Sequence, residues 1–216
     1  MPSRTWIALA VAGVLAGAAG AVFAVTRPET GPSPAVFHGE RTSALYAPIA
    51  TRAADPRPLT GQEVAAPGLR PASSGVIMER GQVTTSGDCA SAVWGSGPAG
   101  AAAGCAQVVR ASFTTSDGGV SGQYTVFDMA DGAAADRLVA ALDPKAGGGF
   151  LRLAPGQPPS FDAGRSRAEA RALGHFAVVN WVGPVGEAGA PDLTYPQIAL
   201  ESLGGFVQRR VLEAGD

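Results

Sequence analysis

The sequence predicts an α+β domain in which a mainly antiparallel sheet packs against helices, and a ferredoxin-like arrangement is one candidate. Two neighbouring segments alternate between apolar and polar residues, and a turn-forming stretch joins them. Two other segments carry apolar residues at helical spacing. An apolar segment and then a proline-rich segment precede all of these elements.

The clearest element is a β-hairpin made by residues 106–115 and 120–128. Val109, Ala111 and Phe113 point to one face of the first strand, and the residues between them are polar or charged. The linking stretch Ser-Asp-Gly-Gly favours a tight turn with positive φ. The sequence therefore predicts two adjacent antiparallel strands here.

A helix follows the hairpin, and two strands follow the helix. Asp131 is placed to cap the helix, and Pro144 is placed to end it. Residues 149–155 predict a short strand. Residues 175–183 are apolar on both faces, which predicts a central strand that is covered on both sides.

The C-terminal segment predicts a helix with a bend. Thr194 and Gln197 have the spacing of a capping box at its start. The two glycines at 204–205 weaken a helix by about 1 kcal/mol each, so we expect the bend there.

The N-terminal segment predicts a single transmembrane helix. Residues 5–26 contain no charged side chain, and 22 residues at about 1.5 Å each span the roughly 30 Å core of a bilayer. Arg4 precedes this segment, which favours a cytoplasmic N-terminus of residues 1–4 and an extracytoplasmic remainder. The alternative is a signal peptide cleaved near Ala24, which would yield a secreted protein.

Residues 27–78 predict an extracytoplasmic linker. The segment is rich in proline and poor in large apolar residues, and no period of 2 or 3.6 persists in it. A stalk that lifts a domain off a membrane has this composition. The alternative is that part of it, such as residues 36–46, packs onto the domain. Residues 79–216 predict the globular α+β ectodomain, which we expect to fold alone.

Cys89 and Cys105 are the only cysteines in the chain. An oxidising compartment and an even count favour a disulfide bond between them. A redox pair has its thiols two residues apart, which these are not. A zinc site would have to recruit His38 and His175, which lie in the linker and at the start of a strand. The sequence therefore predicts a structural disulfide.

The composition and motifs indicate neither a cofactor nor a nucleic-acid partner. The formal net charge is −2 and no basic patch is present, so nucleic acid is not an expected partner. Residues 95–100 read G-x-G-x-x-G, but no convincing strand precedes them and the chain has 30 glycines. Neither a bound cofactor nor a metal site is predicted.

His175 is the one candidate centre for catalysis. With Asp162, Asp192 or a serine it could serve as a general base in a hydrolase. No G-x-S-x-G motif marks a nucleophile, and a histidine at the edge of a core strand is more often structural. The sequence leaves the enzyme question open and favours a non-enzymatic role.

The chain resembles uncharacterised membrane-anchored extracytoplasmic proteins of actinobacteria such as Streptomyces. The resemblance rests on four features: the short N-terminal anchor, the proline-rich segment, the stretch DCASAVWG followed by Cys105, and the stretch SGQYTVFDMADGAAADRLVAALD. It implies a location and a fold but no activity, and it transfers no catalytic residue. The expected function is binding, sensing or contact with an envelope protein or ligand, and the alternative is a hydrolase around His175.

Overall fold

A computed structural model describes residues 30–146, 148–187 and 189–215. The predicted anchor at 5–26 and the alternative cleavage site near Ala24 lie outside these residues. Within the described ranges, no helix has the length and apolar character needed to cross a membrane.

The fold is α+β, and its main element is a mostly antiparallel sheet of seven strands. The strands lie in the order β1-β8-β9-β6-β5-β3-β2, and β4 pairs with β7 in a separate small sheet. The strands are β1 (Val36–Glu40), β2 (Ala72–Ser73), β3 (Val76–Ser86), β4 (Val93–Trp94), β5 (Gln107–Thr115), β6 (Val120–Asp128), β7 (Phe150–Leu151), β8 (Arg167–Leu173) and β9 (Phe176–Pro184).

Helices cover both faces of the main sheet. The α-helices are α1 (Gly61–Val64), α2 (Ser96–Ala101), α3 (Gly132–Ala141), α4 (Thr194–Glu201) and α5 (Gly205–Ala214), and 3-10 turns include Ala44–Ile49 and Ser202–Gly204. One apolar core forms between the sheet and α3, and it contains Trp181. The other forms between the sheet and α1, α4 and α5, and it contains Phe113, Phe176 and Phe206.

The predicted hairpin is present as β5 and β6. Val109, Ala111 and Phe113 all lie in the core that the sheet shares with α1, α4 and α5, as their alternation predicts. Gly118 in the turn has a φ of 73°, which explains why the turn needs glycine. The central position of β9 is also confirmed, because all nine of its residues are buried.

The strand order differs from that of a ferredoxin-like fold. Such a fold interleaves two β-α-β units, which places parallel strands side by side within the sheet. Here the interior neighbours β8–β9, β9–β6, β6–β5 and β5–β3 are all antiparallel. The only parallel pair in the described part of the sheet is β1 with β8, at its edge.

Residues 30–78 pack onto the domain, in contrast to the loose linker that their composition predicts. Residues Val36–Glu40 form an edge strand beside β8. Ile49, Leu59 and Val64 are at most 1% exposed. The alternative, in which residues 36–46 pack onto the domain, agrees with this arrangement. The low apolar content predicted a loose linker, but a few buried apolar side chains are enough to attach a segment whose other side chains are mostly exposed.

Arg210 of α5 joins the C-terminal helix to this same segment. All five N–H groups of its guanidinium donate hydrogen bonds: two reach Glu63, one reaches Asp55, and two reach the backbone carbonyls of Arg57 and Pro58. Arg210 is 2% exposed. A buried charge with every donor bonded is stable only while its partners stay in place.

The two helix starts turn out differently. Asp131 caps α3, since its carboxylate accepts a hydrogen bond from the backbone N–H of Ala134 at 2.7 Å. The capping box at Thr194 and Gln197 was wrong: Thr194 is the first helical residue, and Gln197 turns inward to a buried partner. Near the expected bend at residues 204–205, a 3-10 turn at Ser202–Gly204 separates α4 from α5.

Candidate functional site

Cys89 and Cys105 lie at disulfide-bonding distance, with their Cα atoms 6.2 Å apart. Cys89 begins a 3-10 turn after β3, and Cys105 lies between α2 and β5. The bond closes a loop that contains β4 and α2. The expected pairing is therefore present in the structure.

The glycine motif at 95–100 has a structural explanation. The sequence interpretation that no strand precedes it was wrong, because the two residues of β4 do so. Gly95 has a φ of 87°, and a Cβ there would collide with the carbonyl oxygen of Gly148. A Cβ on Gly149 would likewise collide with the carbonyl of Trp94. These glycines let the backbones of the small sheet approach closely.

His175 lies in the interior, between the sheet and the 3-10 turn that ends at Ile49. Its side chain is 0% exposed. The carbonyl oxygen of Ile49 accepts hydrogen bonds from both the backbone N–H and the Nδ1 of His175, at 2.9 and 2.8 Å. Because Nδ1 donates, the neutral ring carries its lone pair on Nε2.

The Nε2 atom of His175 faces a carboxylate but does not bond to it. It lies 3.5 Å from Oδ1 of Asp128, and it has no hydrogen-bond partner among the described residues. Asp128 is itself paired with Arg52, whose Nε donates to Oδ1 at 3.0 Å. Burial lowers the pKa of His175, and the carbonyl of Ile49 and the charge of Asp128 offset part of that effect.

The candidate partners of His175 for hydrolysis lie elsewhere. Asp162 pairs with Arg165, and Asp192 accepts a hydrogen bond from the backbone N–H of Thr194. Within the described chain, no recorded hydrogen bond joins the His175 ring to a serine or threonine hydroxyl. The residues of a Ser-His-Asp arrangement are therefore not brought together.

A row of polar side chains crosses four adjacent strands on the sheet face that α4 and α5 cover only in part. The strand register places Tyr124 opposite Asn180, Asn180 opposite Glu169, and Glu169 opposite His38. We call these four residues the polar row. Tyr124 and Asn180 are buried, Glu169 is half-buried, and His38 is exposed. The row thus leads from the core to the open edge of the sheet.

Two residues of α4, one turn apart, contact the polar row. Gln197 donates a hydrogen bond to Oδ1 of Asn180, and its own Oε1 is buried without a partner among the described residues. Glu201 lies close enough to Glu169 for the two carboxyl groups to influence each other. A small cleft lies among Tyr124, Glu169, Asn180 and Glu201, beside Arg171.

The charges in this cleft influence one another. Burial, together with the neighbouring carboxyl and negative charge of Glu169, raises the pKa of the Glu201 carboxyl to about 7. Burial also raises the pKa of the Tyr124 phenol. Nε of Arg171 lies 2.6 Å from Oε1 of Glu169 and 3.0 Å from Oε2 of Glu40. These are ion-pair distances, although the N–H is not aligned for a hydrogen bond.

Sequence reasoning missed the polar row. Its residues are far apart in the chain and adjacent only through the strand register. A partial signal exists in β8, where Glu169 and Arg171 alternate with alanines that face the other core. His38 was considered only for a zinc site with the cysteines, which the disulfide uses instead.

A second concave surface lies on the opposite face of β1. It is a groove of about 560 Å³ between β1 and α3, and Phe37 and Val139 are among the residues that line it. Asp136 at its rim pairs with Arg41. Both this groove and the polar row adjoin β1, a strand from the segment predicted to be a linker.

Comparisons with known proteins identify no relative. No family model, no curated protein and no solved structure matches the chain.

Proposed function

We propose that the chain is a single-pass, membrane-anchored extracytoplasmic module that binds a ligand or partner of the cell envelope and is not an enzyme. The observation that carries binding over catalysis is the environment of His175. Its side chain is buried, and its recorded hydrogen bonds go to one backbone carbonyl. A general base must reach the proton that it abstracts, and this ring faces the interior.

The extracytoplasmic location is supported by two independent features. Residues 5–26 are uncharged and long enough to cross a bilayer. Cys89 and Cys105 lie at disulfide-bonding distance, and such bonds persist in oxidising compartments. The resemblance to anchored actinobacterial proteins supports the same placement.

The packing of residues 30–78 changes the expected distance from the membrane. The indole Nε1 of Trp94 donates a hydrogen bond to the carbonyl oxygen of Pro32 at 2.8 Å. Five residues separate Pro32 from Thr26, the last residue of the proposed anchor. Fully extended, they reach about 20 Å. We therefore propose that the domain lies against the membrane surface and is not held away on a stalk.

The polar row is the surface that we propose for binding. It combines buried donors and acceptors with an exposed end that lies beside the charged residues Glu40 and Arg171, as ligand sites do. The helices α4 and α5 leave its outer part uncovered. The side chains of Glu40 and Arg171, which lie beside that part, are accordingly about half exposed. The alternative, a hydrolase centred on His175, lacks such a surface, because the His175 side chain is 0% exposed.

Two measurements test the proposal. A reporter enzyme that is active only outside the cytoplasm, fused after residue 216, should be active, and the fusion should sediment with membranes. A reporter active only in the cytoplasm should be inactive at the same position. Cytoplasmic activity would contradict the location. Hydrolysis of simple ester or amide substrates that is lost in His175→Gln, with folding retained, would contradict the non-enzymatic role.

A further inference from the structure

We propose that His38, Glu40 and Glu169 form a binding site for one zinc-type divalent transition metal ion at the exposed end of the polar row. One ligand atom from each residue lies within 4.8 Å of the other two. This inference deepens the proposed binding function, because it names the ligand class for the same surface.

The backbone places the three side chains together. His38 of β1 is the register partner of Glu169 of β8, so both side chains stand on one face of a parallel strand pair. Glu40 lies two residues beyond His38 on the same strand, and residues two apart share a face. The site is therefore built on two paired strands and does not depend on a loop conformation.

The distances suit a single ion after small side-chain rotations. Zinc binds imidazole nitrogen and carboxylate oxygen at about 2.0–2.2 Å, so ligand atoms on one ion lie within about 4.2 Å of each other. His38 and Glu40 are exposed, and their side chains can rotate to shorten the present separation. Three protein ligands leave a fourth position of a tetrahedral ion for water or an external ligand.

The surroundings supply the contacts that usually orient metal ligands. Arg171 lies at ion-pair distance from one oxygen of Glu169 and one oxygen of Glu40. Each carboxylate has a second oxygen that this ion pair does not use. Outer contacts of this kind fix the orientation of carboxylate ligands.

The ligand set selects the class of ion. An imidazole nitrogen favours zinc and other transition metals, whereas magnesium and calcium prefer sites made of oxygen ligands alone. The combination of one histidine and two glutamates therefore favours a zinc-type ion, and zinc is the metal to use in a binding experiment.

The test is a calorimetric zinc titration of the full chain, purified in detergent without a histidine tag and with its disulfide intact. The wild type should bind one zinc ion per chain, and a hundredfold excess of Mg²⁺ should not displace it. His38→Ala and Glu169→Gln should each weaken binding at least tenfold. Glu187→Gln, which removes an exposed carboxylate from the loop after β9, should leave binding unchanged.

Three outcomes would overturn the inference. They are no zinc binding by the wild type, equal binding by His38→Ala, and displacement of zinc by Mg²⁺. Circular dichroism of each variant confirms folding, and the exposed position of His38 makes its replacement mild. A failed zinc titration with an active extracytoplasmic reporter would reject the metal site and leave the proposed location in place.

Discussion

Ile49 and His175 are joined twice through one oxygen atom, because the backbone N–H and the ring Nδ1–H of His175 both donate to the carbonyl of Ile49. This contact spans 126 residues and ties the segment before residue 79 to the turn between β8 and β9. The neighbouring Gly174 also packs against Ile49, and its φ of 65° permits the close approach.

The first prediction concerns the boundary of the folding unit. A fragment of residues 79–216 should lack cooperative thermal unfolding, because it loses β1 and the apolar side chains of Ile49, Leu59 and Val64. A fragment that begins at residue 30 should unfold cooperatively. A well-dispersed amide NMR spectrum from the shorter fragment would contradict this prediction and restore the boundary that the composition favours.

The second prediction compares two aliphatic residues of one 3-10 turn. Ile49→Ala should lower the free energy of unfolding by about 2–5 kcal/mol, since Ile49 is 0% exposed and its loss leaves a cavity. The matched variant Leu45→Ala should change it by less than about 0.5 kcal/mol, because Leu45 is 68% exposed. Equal effects in urea denaturation would show that the turn does not pack as described.

The third prediction uses two neighbouring arginines of α5. Arg210→Ala should destabilise the protein by about 3–5 kcal/mol, because it leaves the carboxylates of Asp55 and Glu63 without their buried partner. Arg209→Ala, next to it on the exposed side, should be nearly neutral. Denaturation curves of the two variants provide the comparison, and a small effect at Arg210 would contradict the role assigned to it.

Some of this fold follows from local patterns, and some does not. The hairpin β5–β6 was predictable because alternation and turn chemistry agree within about 20 residues. Strand β1 was missed because its partner β8 is about 130 residues away and no turn signal links them. Strand β8 reads RAEARAL, which consists of good helix formers, and its pairing with β9 overrides that preference.

The site was less predictable than the fold. The polar row depends on a register across four strands, and no spacing in the chain encodes that register directly. His175 was recognisable as a candidate, but its burial became evident only once Ile49 was placed over it. The cysteines were predictable because a disulfide requires only the two residues and an oxidising compartment.

The fourth prediction is the direction of the His175 titration. The groups that act on the ring are the carbonyl of Ile49 and the charges of Asp128, Asp55 and Arg210. Burial outweighs the others and lowers the pKa below 6.5, so the unfolded state binds this proton more readily. His175 should therefore reduce stability as pH falls below about 6.5, toward the lowered pKa. In NMR, its ring resonances should titrate with a midpoint below 6.5, and a midpoint above 6.5 would contradict the buried neutral ring.

The effect of His175 on the pH dependence of stability must be separated from the effect of Glu201. Its pKa is raised to about 7 in the folded state, so its stabilising contribution is lost as pH rises from about 4.5 to 7. The two groups therefore give slopes of opposite sign. The NMR titration follows His175 alone and avoids this cancellation.

The most direct test of an extracytoplasmic, disulfide-stapled module is the thiol state of Cys89 and Cys105 in intact cells. The protein is denatured in a thiol-alkylating reagent and analysed by mass spectrometry without reduction. Both cysteines should be unmodified and joined in one cross-linked peptide pair, and both should react after reduction. A Cys89→Ala, Cys105→Ala double variant should be less stable by about 2–4 kcal/mol. Alkylation of both cysteines without reduction would contradict the account, because a cytoplasmic domain keeps its thiols free.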